Sequence, residues 1–217
     1  EHSKLIILWG TNTRLTNRHL WPTIETARAN GARLVVIDPI RTLTADAVNS
    51  AVGDQFIQPL PGTDIAMMLA VMHVLIRDGL TNDDWVADHT LGFDELRAAV
   101  ADWTPERAAE VCSVDATVIT QLAHDYATIR PAGIRTLVGP EHHENGAMFH
   151  RTLACLPALT GAWAERGGGL SKSTGAWTES NIDVDAMLRP DMEVGDARTL
   201  NMSRLGEILT HPHAGET

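Results

Sequence analysis

Two short, uninterrupted apolar runs, Leu5-Ile6-Ile7-Leu8 and Leu34-Val35-Val36-Ile37, constrain the fold more than any other feature of this chain. Neither alternates with polar residues, which is the pattern of strands covered on both faces. Between them His19 to Asn30 reads as a helix, with Thr16 or Asn17 as its N-cap and Asn30-Gly31 as its stop. Strand, helix and strand within about 35 residues make a βαβ unit, which implies a parallel sheet with a right-handed crossover.

Further along, Gln55-Phe56-Ile57-Gln58 is a weaker strand candidate, followed by Pro61-Gly62-Thr63-Asp64 and a strongly apolar helix that ends at Gly79. Ile65, Met68, Leu69, Met72, Leu75 and Ile76 fall on that helix at core-facing spacing. Residues 81–130 read as a helical insertion: Thr81-Asn82-Asp83-Asp84 has the capping-box form, Thr104-Pro105 sets a cap before a first-turn proline, and Val118, Ile119, Leu122, Ala123 and Tyr126 share one face. Ala132 to Val138 returns to a strand, and a helix from about Ala147 to Thr160 leads into the glycine cluster of "TGAWAERGGGL". Beyond Ser171 periodicity fades, and Arg189-Pro190, Gly195 and the "HPHAGET" ending read as loop with one short helix near Leu205.

Composition removes several function classes. At 217 residues the chain is long enough for one sizeable core, and its net charge of −11, with no basic block, disfavours binding to nucleic acid. Its two cysteines, Cys112 and Cys155, have neither zinc-ribbon nor iron-sulfur spacing and suit buried thiols in a reducing compartment. His142-His143 and His211-Pro212-His213 lack the further ligands a zinc site needs, and no G-x-S-x-G elbow is present. No apolar stretch reaches membrane-span length and no signal-like start is seen, so a cytoplasmic location is the expectation.

In an open parallel sheet, ligands sit beyond the carboxyl ends of the strands, where loops diverge and helix starts present unpaired N–H groups. Three such ends carry related chemistry here: Gly10-Thr11-Asn12, Asp38-Pro39-Ile40-Arg41-Thr42 and Pro61-Gly62-Thr63-Asp64. Gly10 would let a ligand approach the backbone, Asn12 supplies an amide, and a helix start capped by Thr16 or Asn17 would favour an anion such as a pyrophosphate. A tight turn with an ordinary cap accounts for the same residues. Asp38 holds the position of a ribose-binding carboxylate, though a turn before Pro39 also explains it. Asp64 can cap a helix, or can match the paired N–H donors on the edge of guanine. Neither G-x-G-x-x-G nor the P-loop motif occurs.

Taken as an ordered set, W-G-x-N at Trp9, I-D-P-x-R-T at Ile37, P-G-T-D at Pro61, L-T-G at Leu159 and G-G-G at Gly167 resemble the molybdopterin oxidoreductases of the dimethyl sulfoxide reductase type, over about residues 4–172. The likeness is greatest to formate-dehydrogenase-like members. It implies an α/β fold: a Rossmann-like parallel sheet flanked by helices, in a domain at 1–143 with the insertion at about 81–130, then part of a second α/β domain at 144–217. It implies a central, cofactor-binding fragment for bis-molybdopterin guanine dinucleotide carrying molybdenum, with tungsten as the other metal. By this resemblance Gly10, Thr11, Asn12 and Thr16 would line the nucleotide and phosphate region, Asp38, Arg41 and Thr42 would surround ribose and phosphate, Gly62, Thr63 and Asp64 would close over the guanosine end, and His142 would approach the pterin.

The chain departs from the family pattern at Asn12-Thr13, Pro39-Ile40-Arg41 and Thr160-Gly161-Ala162, where relatives often carry Asn-Pro, Pro-Arg-Arg and Thr-Gly-Asn. The segment that supplies the molybdenum ligand, often with an iron-sulfur cluster, and the C-terminal barrel are both missing. The chain is therefore expected to be an excised middle region, inactive by itself, whose whole enzyme takes a small-molecule redox substrate and an electron-transfer partner or subunit. The rival reading is a Rossmann-like nucleotide-binding or subunit-interaction module with no redox role.

Overall fold

The computed structural model describes residues 1–173, 175–192, 195 and 200–211. Residues 1–172 form one compact unit and 173–217 a second.

In the first unit the two apolar runs become β1 (Leu5–Trp9) and β2 (Arg33–Ile37), paired in parallel with Ile7 opposite Val35. Both faces of these strands are apolar because both are covered. Leu5, Ile7, Trp9, Val35 and Ile37 face one hydrophobic cluster, while Ile6, Leu8, Leu34 and Val36 face another. The helix between them starts later than the sequence suggests. A short helix α1 (Thr13–Thr16) comes first, the Asn17 amide oxygen then accepts the Leu20 N–H at 3.3 Å, and α2 runs Trp21–Ala29 with Pro22 in its first turn. Leu20 occupies the N-cap of α2 without a side-chain cap, so neither Thr16 nor Asn17 caps the long helix.

β3 (Gln55–Ile57) pairs with β2, and α3 (Asp64–Arg77) then crosses the first face with Met67, Met68, Met72 and Leu75 fully buried. Each such side chain contributes about 1.5–3 kcal/mol relative to exposure. The insertion is helical throughout: α4 (Asp83–His89), α5 (Phe93–Val100), α6 (Pro105–Cys112) and α7 (Ala116–Thr128). The expected Thr104 cap forms, accepting from Arg107 N, but the capping box read at Thr81 does not: Asn82 is the N-cap of α4 and accepts from Trp85 N, while the Thr81 hydroxyl donates to Asp83.

β4 (Ala132–Thr136) docks on the other side of β1, α8 (Gly146–Thr160) follows, and β5 (Gly169–Ser171) pairs with β4. The result is a five-stranded parallel sheet in the order β3-β2-β1-β4-β5. Residues 144–172, read from sequence as the start of a second domain, complete the same sheet through β5. That strand carries no sequence signal, since Gly169-Leu170-Ser171 lacks β-branched residues and is extended because β4 pairs with it.

Within the second unit the loop expectation is corrected. Helices α9 (Gly175–Asn181) and α10 (Val184–Leu188) precede the anticipated α11 (Leu205–Thr210), and Asp183 caps α10 by accepting from Ala186 N at 3.0 Å. His213 and most of the "HPHAGET" ending lie outside the described residues. No described helix is long and apolar enough to cross a membrane.

Candidate functional site

The strand order reverses at β1, whose neighbours are β2 on one side and β4 on the other. The carboxyl ends of β1 and β4 thus diverge into a crevice at the switch point, the usual ligand position in open α/β sheets.

Gly10 follows β1 with φ of +61°, and a Cβ there would lie 2.1 Å from Cγ of Pro140, in the loop after β4. The space left by the missing side chain is filled by the proline ring. Gly10 thereby seals the base of the crevice. Gly62, at φ +79°, plays a related part: a Cβ on it would stand 3.3 Å from the His143 ring. Gly62, Asp64, Pro140, His143 and Asn145 line the narrow cleft between the two loops.

Asp64 opens α3 and is buried, with Oδ1 accepting a 2.7 Å hydrogen bond from Trp9 Nε1. Burial raises its pKa, opposed by the Trp9 bond and the neighbouring His143. Asp38, at the end of β2, is half-buried and uses Oδ1 to accept from Ile40 N at 2.9 Å. Burial raises its pKa too, and the charge of Asp64 adds to the rise. Two desolvated carboxylates thus share one field at the strand ends. A carboxylate has lone-pair sites beyond the bonds named, so each can accept further donors.

The remaining candidates shape loops. Asn12 Oδ1 accepts from Thr44 Oγ1 at 2.8 Å, tying the loop after β1 to the loop after β2. Thr11 and Thr13 hydroxyls pair at 3.2 Å, and Thr16 Oγ1 donates to Asn12 O. Arg41 is exposed, pairs with Asp46 at 2.9 Å and lies over Phe56. Thr42 Oγ1 accepts from Ala45 N, and Thr63 Oγ1 donates to Leu60 O at 2.6 Å. His142 is exposed; its neighbour His143 has the ring beside Gly62 and Asp64.

Sequence reasoning gave no role to Trp9, Pro140 or His143. Trp9 had one local signal, a polar-edged indole ending an otherwise aliphatic strand. Behind the cleft, Glu141 Oε2 accepts from His150 Nε2 at 2.6 Å and from Lys172 Nζ at 2.7 Å, fastening the loop to α8 and to the end of β5. Among the described residues no group of His, Cys, Asp and Glu is arranged to hold a metal ion.

With this fold and cleft in view, the chain belongs to the molybdopterin oxidoreductase family, whose sequence model matches residues 1–209. It is 39% identical over 209 residues to the probable oxidoreductase YoaE of Bacillus subtilis, covering 96% of this chain and 30% of that protein. It is 31% identical over 175 residues to the F420-dependent formate dehydrogenase subunit alpha of Methanocaldococcus jannaschii, and 29% identical over 213 to the dimethyl sulfoxide reductase DmsA of Haemophilus influenzae, spanning 81% and 88% of this chain and 25% and 26% of those proteins. Among solved structures, acetylene hydratase from Pelobacter acetylenicus superposes with a TM-score of 0.67 at 27% identity, over 75% of this chain and 22% of that one. The chain thus spans less than a third of the length of these relatives.

Proposed function

We propose that this chain seats the guanosine end of bis-molybdopterin guanine dinucleotide in a molybdenum or tungsten oxidoreductase of the formate-dehydrogenase-like type. The observation that carries the reading is the pair Asp38 and Asp64: two carboxylates whose pKa values burial raises, the charge of Asp64 adding to the rise at Asp38, at the carboxyl edge of the sheet. Such a pair suits a ligand that donates hydrogen bonds. A guanine edge offers two parallel N–H donors and a ribose offers hydroxyls, so the acceptors fit the nucleoside part of the dinucleotide.

In this reading Asp64 accepts from the base and Asp38 from the ribose, with Gly62 and Thr63 closing the cleft and His143 bordering Asp64. Thr11, Asn12 and Thr16 are engaged within the protein, and they hold the loop in shape. Arg41 and Thr42 stand on the loop after β2, where a phosphate would pass, and His142 faces outward toward the pterin. When bound, the metal and pterin carry the oxidation or oxygen-atom transfer, and the protein supplies position and electrostatics. Any iron-sulfur cluster would belong to another part of the enzyme.

We further place the enzyme in the cytoplasm, where its free thiols Cys112 and Cys155 stay reduced, and assign it an electron-transfer partner or subunit. A second reading, nucleotide seating without redox chemistry, is favoured by the likeness to a protein named a hydratase.

The test is metal and guanine analysis of the full-length protein carrying Asp38→Ala or Asp64→Ala. Both variants should lose molybdenum and guanine by more than they lose melting temperature. Unchanged contents in both would overturn the assignment. A screen of formate, nitrate and dimethyl sulfoxide as substrates would then separate the redox reading from the second one.

A further inference from the structure

The two faces of the sheet are not equally covered. The first carries α3, α6, α7 and α8, whereas on the second α2 packs over β1 and β2. Over β4 and β5 the second face instead bears a cavity of about 240 Å³, lined by Ile6, Leu8, Leu20 and Ile24 together with Glu1, Ser3, Thr23 and Ser171, and reached by Arg135. Arg135 pairs in register with Leu8, so both side chains leave the sheet on this face.

Arg135 is out of place there. Its Nε is buried without a hydrogen-bond partner, and among the described residues its guanidinium forms no ion pair. Burial lowers its pKa with no nearby carboxylate opposing the change, although Glu1 lines the same cavity. A buried N–H without an acceptor, as at Arg135 Nε, costs free energy, and parallel sheets are otherwise covered on both faces. The first unit leaves Arg135 Nε without a partner although Glu1 lines the same cavity, and the relatives' chains are several times longer than this one.

We propose that this part of the second face is a docking surface for an amphipathic helix from a region of the enzyme outside these 217 residues, and that the helix brings a carboxylate to Arg135. The proposal rests on the chain being part of a longer enzyme; it does not depend on what the cleft at the switch point binds. Arg135 and Glu1 are the charged residues of a lining that is otherwise apolar or small, and Arg135 is the one with an unpartnered buried nitrogen; the occupant is therefore an apolar helix face with one Asp or Glu opposite Arg135.

A photo-crosslinking amino acid at Thr23, which lines the cavity, tests this in the full-length enzyme. Mass spectrometry should find the adduct on a helical segment outside residues 1–217 that contains an acidic residue. Adducts confined to residues 173–217, to a second copy or to a separate subunit, or no adduct at all, overturn it. Arg135→Met gives a second measure, because it keeps the bulk and removes the charge. It should lower the melting temperature of the full-length enzyme by several degrees, and an unchanged or higher value overturns the proposal. Neither readout needs the cofactor, so failure of the cleft assignment would leave both intact.

Discussion

The indole nitrogen of Trp9, the last residue of β1, donates a 2.7 Å hydrogen bond to Oδ1 of Asp64, the first residue of α3. This bond fixes the start of the central helix against the end of the central strand, and it gives a buried carboxylate a fixed donor. Trp9→Phe keeps an aromatic ring but leaves that oxygen unpaired, at a cost of about 1–3 kcal/mol. The urea midpoint should fall accordingly, and an unchanged midpoint would mean the bond contributes nothing.

Asp64 also sets a pH dependence. Burial raises its folded pKa above the ordinary 3.8, so the folded state holds its proton more tightly than the unfolded chain. The stabilising contribution is therefore full below 3.8 and is lost as pH rises through the folded value. Asp64→Asn removes this slope: relative to the parent, the variant should gain stability as pH is raised from 3.8 to neutrality. Paired urea titrations across that range would show a constant difference if Asp64 were unperturbed.

Gly10 and Pro140 should behave as one unit. Gly10→Ala places a methyl 2.1 Å from the proline ring at a φ of +61°, and should cost about 2–4 kcal/mol through clash and backbone strain. Pro140→Ala in the same chain removes the clash and should recover part of the loss, leaving a coupling energy of about 1 kcal/mol or more in a double-mutant cycle. Additive effects would place the strain elsewhere.

Asp54 joins three segments at the opposite end of the sheet. Its Oδ1 accepts from Leu34 N at 2.7 Å, and its Oδ2 accepts from Arg28 at 2.7 Å and from Asn49 N at 3.1 Å. The carboxylate side chain is fully buried. Asp54→Ala leaves a guanidinium and two amides without their acceptor and should cost about 3–5 kcal/mol, read as a shift in thermal or urea unfolding.

Asp78 carries the opposite pH signature. Arg77 and His124 both donate to its carboxylate, Arg77 more strongly, and its pKa is pulled down to about 2. Its contribution is present above 3.8 and is lost as pH falls through about 2. Asp78→Asn should flatten the acid limb of the stability profile in that window. An acid limb identical to the parent's would exclude the pair as its source.

The parts of this architecture legible in the sequence are those set by local physics. β1 and β2 were readable because strands buried on both faces keep apolar residues at every position, and α3 and the Thr104 cap because their spacing is fixed within one turn. The start of α2 was misplaced because an Asx-type bond from Asn17 and the proline at position 22 move it to Trp21. At the strand ends the residue types were readable but their use was not. Asn12 spends its amide oxygen on Thr44, and the vacancy at Gly10 is taken by a proline far along the chain. No window of sequence contains both members of such a pair.

That long-range seam has a consequence for biogenesis. Its walls come from the loop after β3, the start of α3, the loop after β4 and the first turn of α8, so the cleft does not exist until Asn145 and Phe149 have left the ribosome and β4 has docked. A nascent chain that has made only β1 to β3 holds one wall of the cleft, and whatever fits the finished cleft has to arrive after β4 has docked.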